Sequence, residues 1–204
     1  MAITEAQILE YVRSAFSLGA TIPADIQTDI DLALKTCLRD LSSLDLLVKS
    51  TDGTDEITDS TVTIDVTESE LPQFKAVKTL TLTDSNSVAL EPLILMEGGI
   101  EGYREGVSIS DSRGEPIYYA IDQRLIYPFR PPDQTYTYLL EYYANHLFPG
   151  AGEDITIEFT DDFLLAVSFG TCYWLGRIKN SFRKYVENWG PVYFDERQRM
   201  RGLI

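Results

Sequence analysis

The sequence predicts an α+β fold in which a β-rich stretch interrupts a layer of three main helices. Apolar residues recur at helical spacing over residues 4–47 and again over 161–179. Between them, 61–95 and 116–144 alternate with period two and are rich in tyrosine, threonine and branched residues. An apolar fraction of 44% is that of an ordinary globular chain, so wholesale disorder is not expected. The expected organisation is 1–50, N-terminal helices of the helical layer; 51–152, a β-rich insertion; 153–180, a central helix completing the layer; and 181–204, an extended C-terminal arm.

Each element has a local reason. Thr4–Leu18 reads as a helix because Thr4 and Gln7 make a capping box and Ile8, Val12, Ala15 and Phe16 share one face, with Gly19 placed to stop it. A second helix starts near Pro23, with Thr21 or Ile22 as cap and Asp25, Asp29 and Asp31 in its early turns. Its stripe of Ile26, Ile30, Ala33, Leu34, Cys37, Leu38 and Leu41 continues toward Leu44 and Leu47 and serves as a core face, or in part as an intersubunit face. Residues 50–59 form a polar, acidic loop. Thr61–Val66 is a short strand, and Phe74–Thr83 a longer one with Phe74, Ala76, Lys78, Leu80 and Leu82 on one side. Residues 84–87 make a hairpin loop, and Val88–Leu95 returns as a strand interrupted by Pro92. Met96–Val107 carries four glycines and reads as a short helical turn followed by a surface loop.

Three strands then follow: Pro116–Ile121, Arg124–Pro128 and Thr135–Ala144, joined by turns at Asp122-Gln123 and Pro131-Pro132-Asp133. Tyr118, Tyr119, Tyr127, Tyr136, Tyr138, Tyr142 and Tyr143 crowd this window, more aromatics than one sheet face needs. Phe148–Gly152 breaks the chain. Thr160 caps a last long helix, Asp161–Lys179, whose apolar residues Phe163, Leu164, Val167, Cys172, Trp174 and Leu175 surround most of the circumference, so it is expected to be central and buried. Gly170 and Gly176 permit close approach of a neighbouring helix, and Arg177 and Lys179 suit its C-terminal end.

Charge divides the chain unevenly. Net charge is −15, yet residues through Gly170 carry 10 basic and 29 acidic side chains, and those from Thr171 on carry 7 basic and 3 acidic. The acidic body argues against sequence-independent nucleic-acid binding, which needs cations to neutralise phosphates. The basic end fits an acidic protein surface instead. From Ser181 on, Phe182, Tyr185, Trp189, Tyr193 and Phe194 mix with Arg183, Lys184, Arg197, Arg199 and Arg201, and Gly190-Pro191 splits the run. Aromatics with arginine are the composition of interface anchors. Phe182, Arg183, Tyr185, Trp189, Tyr193, Phe194, Arg197, Arg199 and Arg201 are the candidate partner-binding residues; the other reading is a final helix packed on its own domain.

No catalytic, cofactor-binding or metal site is expected. The glycine-rich phosphate loops and the dinucleotide fingerprint are missing. One histidine, His146, would have to serve any triad, and it reads as structural. Acidic pairs such as Asp161-Asp162 and Glu153-Asp154 are better explained by helix capping and loop solvation than by glycoside hydrolysis or calcium binding. Cys37 and Cys172 read as buried free thiols, no apolar run is long enough for a membrane span, and the N-terminus lacks the features of a signal peptide. The expectation is a soluble protein made in a host cytoplasm.

One stretch carries a family resemblance. Pro116, Tyr119, Ile121, Leu125, Pro128, Pro132, Tyr136, Thr137, Leu140, Tyr142, Tyr143 and Ala144 fall in an order that resembles the hallmark of bacteriophage head-to-tail adaptor (connector) proteins of tailed phages, with the proline-bearing turn one residue longer. Leu71-Pro72-Gln73-Phe74, followed by Val77, Leu80 and Leu82, resembles the strand that precedes that hallmark, with Gln73 where the family has an acid. The resemblance covers about the central half of the chain and implies a short helix between its two β elements. It also implies a structural virion protein of the neck. Many copies would form a ring, typically a dodecamer, docked on the portal protein and serving as a platform for downstream tail components (nozzle, hub or stopper proteins). DNA would pass through the channel without specific binding, and no cofactor or membrane is implied. Two other classes stay open: another virion part (tail tube, neck or decoration), and a small hydrolase built around His146 or an acidic pair.

Overall fold

A computed structural model describes residues 3–58, 63–67, 69–109, 113–147 and 155–202. In chain order the elements are α1 (Glu5–Ala15), α2 (Ala24–Ser42), β1 (Val48–Ser50), β2 (Glu56–Ile57), β3 (Ile64–Asp65), β4 (Phe74–Thr83), β5 (Ile94–Leu95), α3 (Gly99–Ile109), β6 (Tyr118–Asp122), β7 (Leu125–Phe129), β8 (Tyr136–Ala144), α4 (Leu164–Ile178) and α5 (Val186–Arg201). Short 3-10 helices at Asp161–Phe163 and Asn180–Tyr185 precede α4 and α5. The fold is α+β. The start of the expected strand at 61–62, the Phe148–Gly152 break and the Glu153-Asp154 pair lie outside the described residues.

The chain divides into two compact units, Met1–Leu47 with Asn145–Ile204, and Val48–Ala144. In the helical unit the capping box forms as its residues require: the Gln7 N–H donates to Thr4 Oγ1, and the Thr4 N–H donates to Gln7 Oε1 at 2.8 Å. Gly19 does not end α1. The helix stops at Ala15, and Ser17 takes the left-handed conformation (φ 53°) just beyond. In α2 the expected stripe is the buried face, with Ile30, Ala33, Leu34, Cys37, Leu38 and Leu41 all shielded. Thr160 precedes the 3-10 turn without a side-chain cap bond, so α4 starts at Leu164, a turn later than expected. Ala166, Val167, Gly170, Thr171, Cys172 and Leu175 are buried along α4, the element that meets α1, α2 and α5. A Cβ built on Gly170 would lie 2.3 Å from Cys37 Sγ and 2.6 Å from Tyr193 Cε2; α2 and α5 therefore reach α4 at a position only glycine leaves open.

In the β unit, β8 is the centre of one sheet, paired antiparallel with β1, β2 and β4; the other sheet runs β3-β7-β6-β5. The turn at 122–125 closes the β6–β7 hairpin, with Gln123 (φ 46°) and Arg124 (φ 65°) both left-handed, as a tight hairpin turn demands. The turn at Pro131-Pro132-Asp133 does not make a second hairpin. Strand β8 has nine residues, and its apolar side chains Tyr136, Tyr138, Leu140, Tyr142 and Ala144 are buried on one face along its whole length. The five-residue β7 cannot cover such a strand, and the ten-residue β4 can. Alternation along β4 is broken by register shifts between Phe74 and Ala76 and between Val77 and Thr79, so Phe74, Leu80 and Leu82 are buried while Ala76 and Lys78 are exposed. After the Asp84–Val88 turn only a bridge at Ala89 and the two-residue β5 remain of the expected strand, since Pro92 cannot donate to a ladder.

Residues 99–109 are an 11-residue helix rather than a turn and a loop. Gly98 and Gly99, both at positive φ, mark its entry, and Gly106 lets the Phe129 ring lie 2.9 Å from where a Cβ would stand. The glycines thus position this helix against β7 instead of dissolving it.

Candidate partner interface

Residues 181–201 do not form an extended arm. The chain leaves α4 at Lys179, makes the 3-10 turn Asn180–Tyr185 and enters α5, which packs along α4. The reason is a run of aromatics at spacings that a helix folds inward. Tyr193 is 0% exposed, its ring stacked on Tyr173, and its hydroxyl donates to Asp40 of α2. Arg197 grips the same carboxylate with two nitrogens, Nε at 3.0 Å and Nη2 at 3.2 Å. Trp189 stacks on Phe169 and meets Tyr11 edge-on. Phe182 and Tyr185 both pack on Phe16 of the α1 C-terminus. Met200 is buried, and Pro191 sits inside α5 next to Gly190, whose missing Cβ faces Tyr173.

The nine candidate residues therefore fall into two sets. Phe182, Tyr185, Trp189, Tyr193 and Arg197 face their own unit and hold α5 and its approach in place. Arg183, Arg199 and Arg201 are exposed, and Phe194, 47% exposed beside an exposed Val192, is the fourth, though its ring also rests against Tyr173 and Tyr193. Arg199 pairs with Glu196 at 2.8 Å. The structure thus keeps a basic, partly aromatic outer face and withdraws five of the nine residues that composition alone put there. Helical phase was the available signal: Trp189, Tyr193, Arg197 and Met200 are spaced four, four and three apart, a single stripe.

Where α4 gives way to α5, Arg177, Asn180, Arg183, Val186 and Glu187 line a cavity of about 450 Å³. Arg177, read from sequence only as suiting the C-terminal end of the helix, and Asn180 are not among the nine candidate partner-binding residues, although they lie at the same corner. Lys179, nearby in sequence, is occupied differently: its Nζ lies 2.8 Å from both Asp25 and Asp29 of α2. These bonds raise the Lys179 pKa, and the bond to Lys179 lowers that of Asp25.

His146 is 3% exposed and fully engaged. Its Nδ1–H donates to the Leu147 carbonyl at 2.8 Å, while Nε2 accepts from the Glu158 N–H at 3.1 Å, and the ring stacks on Phe159. Both nitrogens hold backbone, which leaves no lone pair for base catalysis. Cys37 and Cys172 are free and buried. Burial pushes the Cys172 thiol up to about 12 and the Cys37 thiol higher still. Among the described residues no cluster of three or more His, Cys, Asp or Glu is placed to hold a metal, and no helix is long and apolar enough to cross a membrane. No protein-family model matches the chain, and no curated protein matches its sequence.

Proposed function

We propose that the chain is a structural virion protein, an adaptor subunit that assembles as a ring, typically a dodecamer, on the portal and presents a platform for downstream tail proteins. The observation that carries this reading lies in the β unit. The segment bearing the adaptor-like residues, Pro116–Ala144, spans β6, β7 and β8, and a helix, α3, stands between the two β elements where the resemblance implies one. In this reading Arg183 of the 3-10 turn and the outer face of α5, with Phe194, Arg199 and Arg201, dock an acidic surface of the portal. Tyr193, Arg197, Trp189, Phe182 and Tyr185 act as its scaffold rather than as contacts. Each weak face is multiplied by the number of copies in the ring, so avidity supplies what a single small face cannot. A net charge of −15 suits a channel wall that DNA slides past, because like charges do not hold it.

Electron microscopy of the purified chain, alone and mixed with portal rings encoded in the same genome, tests the reading. A ring seated coaxially on the portal is expected. A capsid-surface or tail-tube location points instead to another virion part. Tight binding of duplex DNA at physiological salt contradicts the channel role.

A further inference from the structure

The corner between α4 and α5 holds two cations that the other described residues leave unpaired. Arg177 and Arg183 are both exposed, and among the described residues neither has an ion pair or a hydrogen bond. In a chain with 32 acidic and 17 basic residues, carboxylates are abundant enough to pair every cation. Lys179, two residues from Arg177, takes two of them, and Arg197 and Arg199 take one each. The two arginines instead line the same cavity of about 450 Å³, with Asn180, Val186 and Glu187.

The cavity is braced from beneath. A Cβ at Gly176 would lie 2.8 Å from Val186 Cγ2 and 3.2 Å from the Phe182 carbonyl, so the 3-10 turn sits directly on α4. Phe182 and Tyr185 pin that turn to Phe16, with ring centroids 4.8 and 5.2 Å away. A backbone fixed this way holds the Arg183 position beside the cavity that Arg177 also lines without waiting for a partner to order it, which lowers the entropic cost of binding.

We propose that this cavity is a subsite for a side-chain carboxylate presented by an acidic protein partner. The assignment rests on the reading of this end of the helical unit as a docking face. Guanidiniums recognise a carboxylate through paired N–H donors, and Asn180 adds a neutral donor. Glu187 sets the selectivity. A carboxylate carries one charge and tolerates one neighbouring anion between two cations, whereas a phosphate dianion or the closely spaced phosphates of a duplex meet stronger repulsion.

Fluorescence anisotropy of a labelled oligoglutamate peptide with the intact chain at low salt tests the subsite. Binding that weakens as salt rises is expected. The double variant Arg177→Gln/Arg183→Gln should weaken it about tenfold, and Glu187→Gln should strengthen it by roughly two- to fivefold. Because neither arginine has a partner among the described residues, the double variant should keep the wild-type melting temperature; Glu187→Gln provides an independent reading if it does not. Inorganic phosphate and duplex DNA at matched concentration should not displace the peptide. No oligoglutamate binding up to millimolar protein, equal binding by the folded double variant, unchanged or weaker binding by Glu187→Gln, or displacement by phosphate or duplex each overturns the assignment. Ring formation on the portal with no peptide binding would overturn the subsite alone, while peptide binding without portal assembly would overturn the adaptor reading alone.

Discussion

Replacing Gly170 by alanine adds one methyl group at the place where three helices meet. The new carbon would lie 2.3 Å from Cys37 Sγ on α2 and 2.6 Å from the Tyr193 ring on α5. Carbon needs roughly 3.5 Å or more from either atom, so both α2 and α5 must move away from α4 to admit it. Overpacking of this kind costs roughly 1–3 kcal/mol, and two simultaneous clashes belong at the upper end. Alanine in place of glycine in a helix interior returns about 1 kcal/mol. The net expectation is a loss of about 2 kcal/mol, or roughly 4–8 °C in melting temperature for a chain of this length. Guanidinium titration followed by circular dichroism measures it. Adding Cys37→Ala should recover part of the loss, because removing the sulfur relieves one of the two clashes. Gly190→Ala is the control: its Cβ would meet Tyr173 at 3.5 Å, ordinary contact, so it should stay within about 1 kcal/mol of wild type. If Gly170→Ala is as stable as wild type or more so, helix propensity alone is acting and α5 is not seated on α4 as described.

Alkaline pH should destabilise the fold through groups held protonated by burial. Cys172 and Tyr138 are raised to about 12, and Cys37 and Tyr193 are raised as well, the last two also by the nearby negative charge of Asp40. The unfolded chain releases these protons from about pH 8.5 to 10, so stability should be flat below that window and fall from there toward pH 12; a melting temperature constant to pH 11 contradicts it. In the same vein, a thiol reagent at pH 8 should label neither cysteine in the native protein and both in urea. Arg124→Ala should destabilise the β unit by roughly 2 kcal/mol, since Arg124 donates to the Val66 carbonyl at 3.0 Å and to the Phe74 carbonyl at 3.1 Å. Arg124→Gly should lose about 1 kcal/mol less, because glycine accepts the left-handed turn without strain; equal losses would refute that account of the turn.

How much of this was legible in the sequence depends on whether a neighbour or the residue itself sets the structure. The Thr4–Gln7 box, the α2 stripe and the span Phe74–Thr83 are local patterns, and the structure has them where the residues put them. The partner of β8 was not legible, because pairing with β4 is decided by the length of the apolar face and lies some sixty residues away in the chain. Glycines misled at 96–107: as breakers they suggest a loop, whereas Gly106 is there to admit Phe129. Composition misled most at the C-terminal end. Arginine and aromatics in one segment suggest a free arm, but Asp40, 153 residues earlier than Tyr193, supplies the acceptor that turns Tyr193 and Arg197 inward. What composition did convey is the basic outer face, since Arg183, Phe194, Arg199 and Arg201 remain exposed.

The central claim is that α5 acts as a folded docking face and not as a tether. Hydrogen exchange on the chain, free and bound to portal rings, tests it most directly. The α5 amides around Tyr193 should be protected already in the free protein, with binding adding protection on the outer side near Arg183, Phe194 and Arg199. Fast exchange throughout residues 181–201 in the free chain, or new protection confined to the β unit on binding, would contradict it.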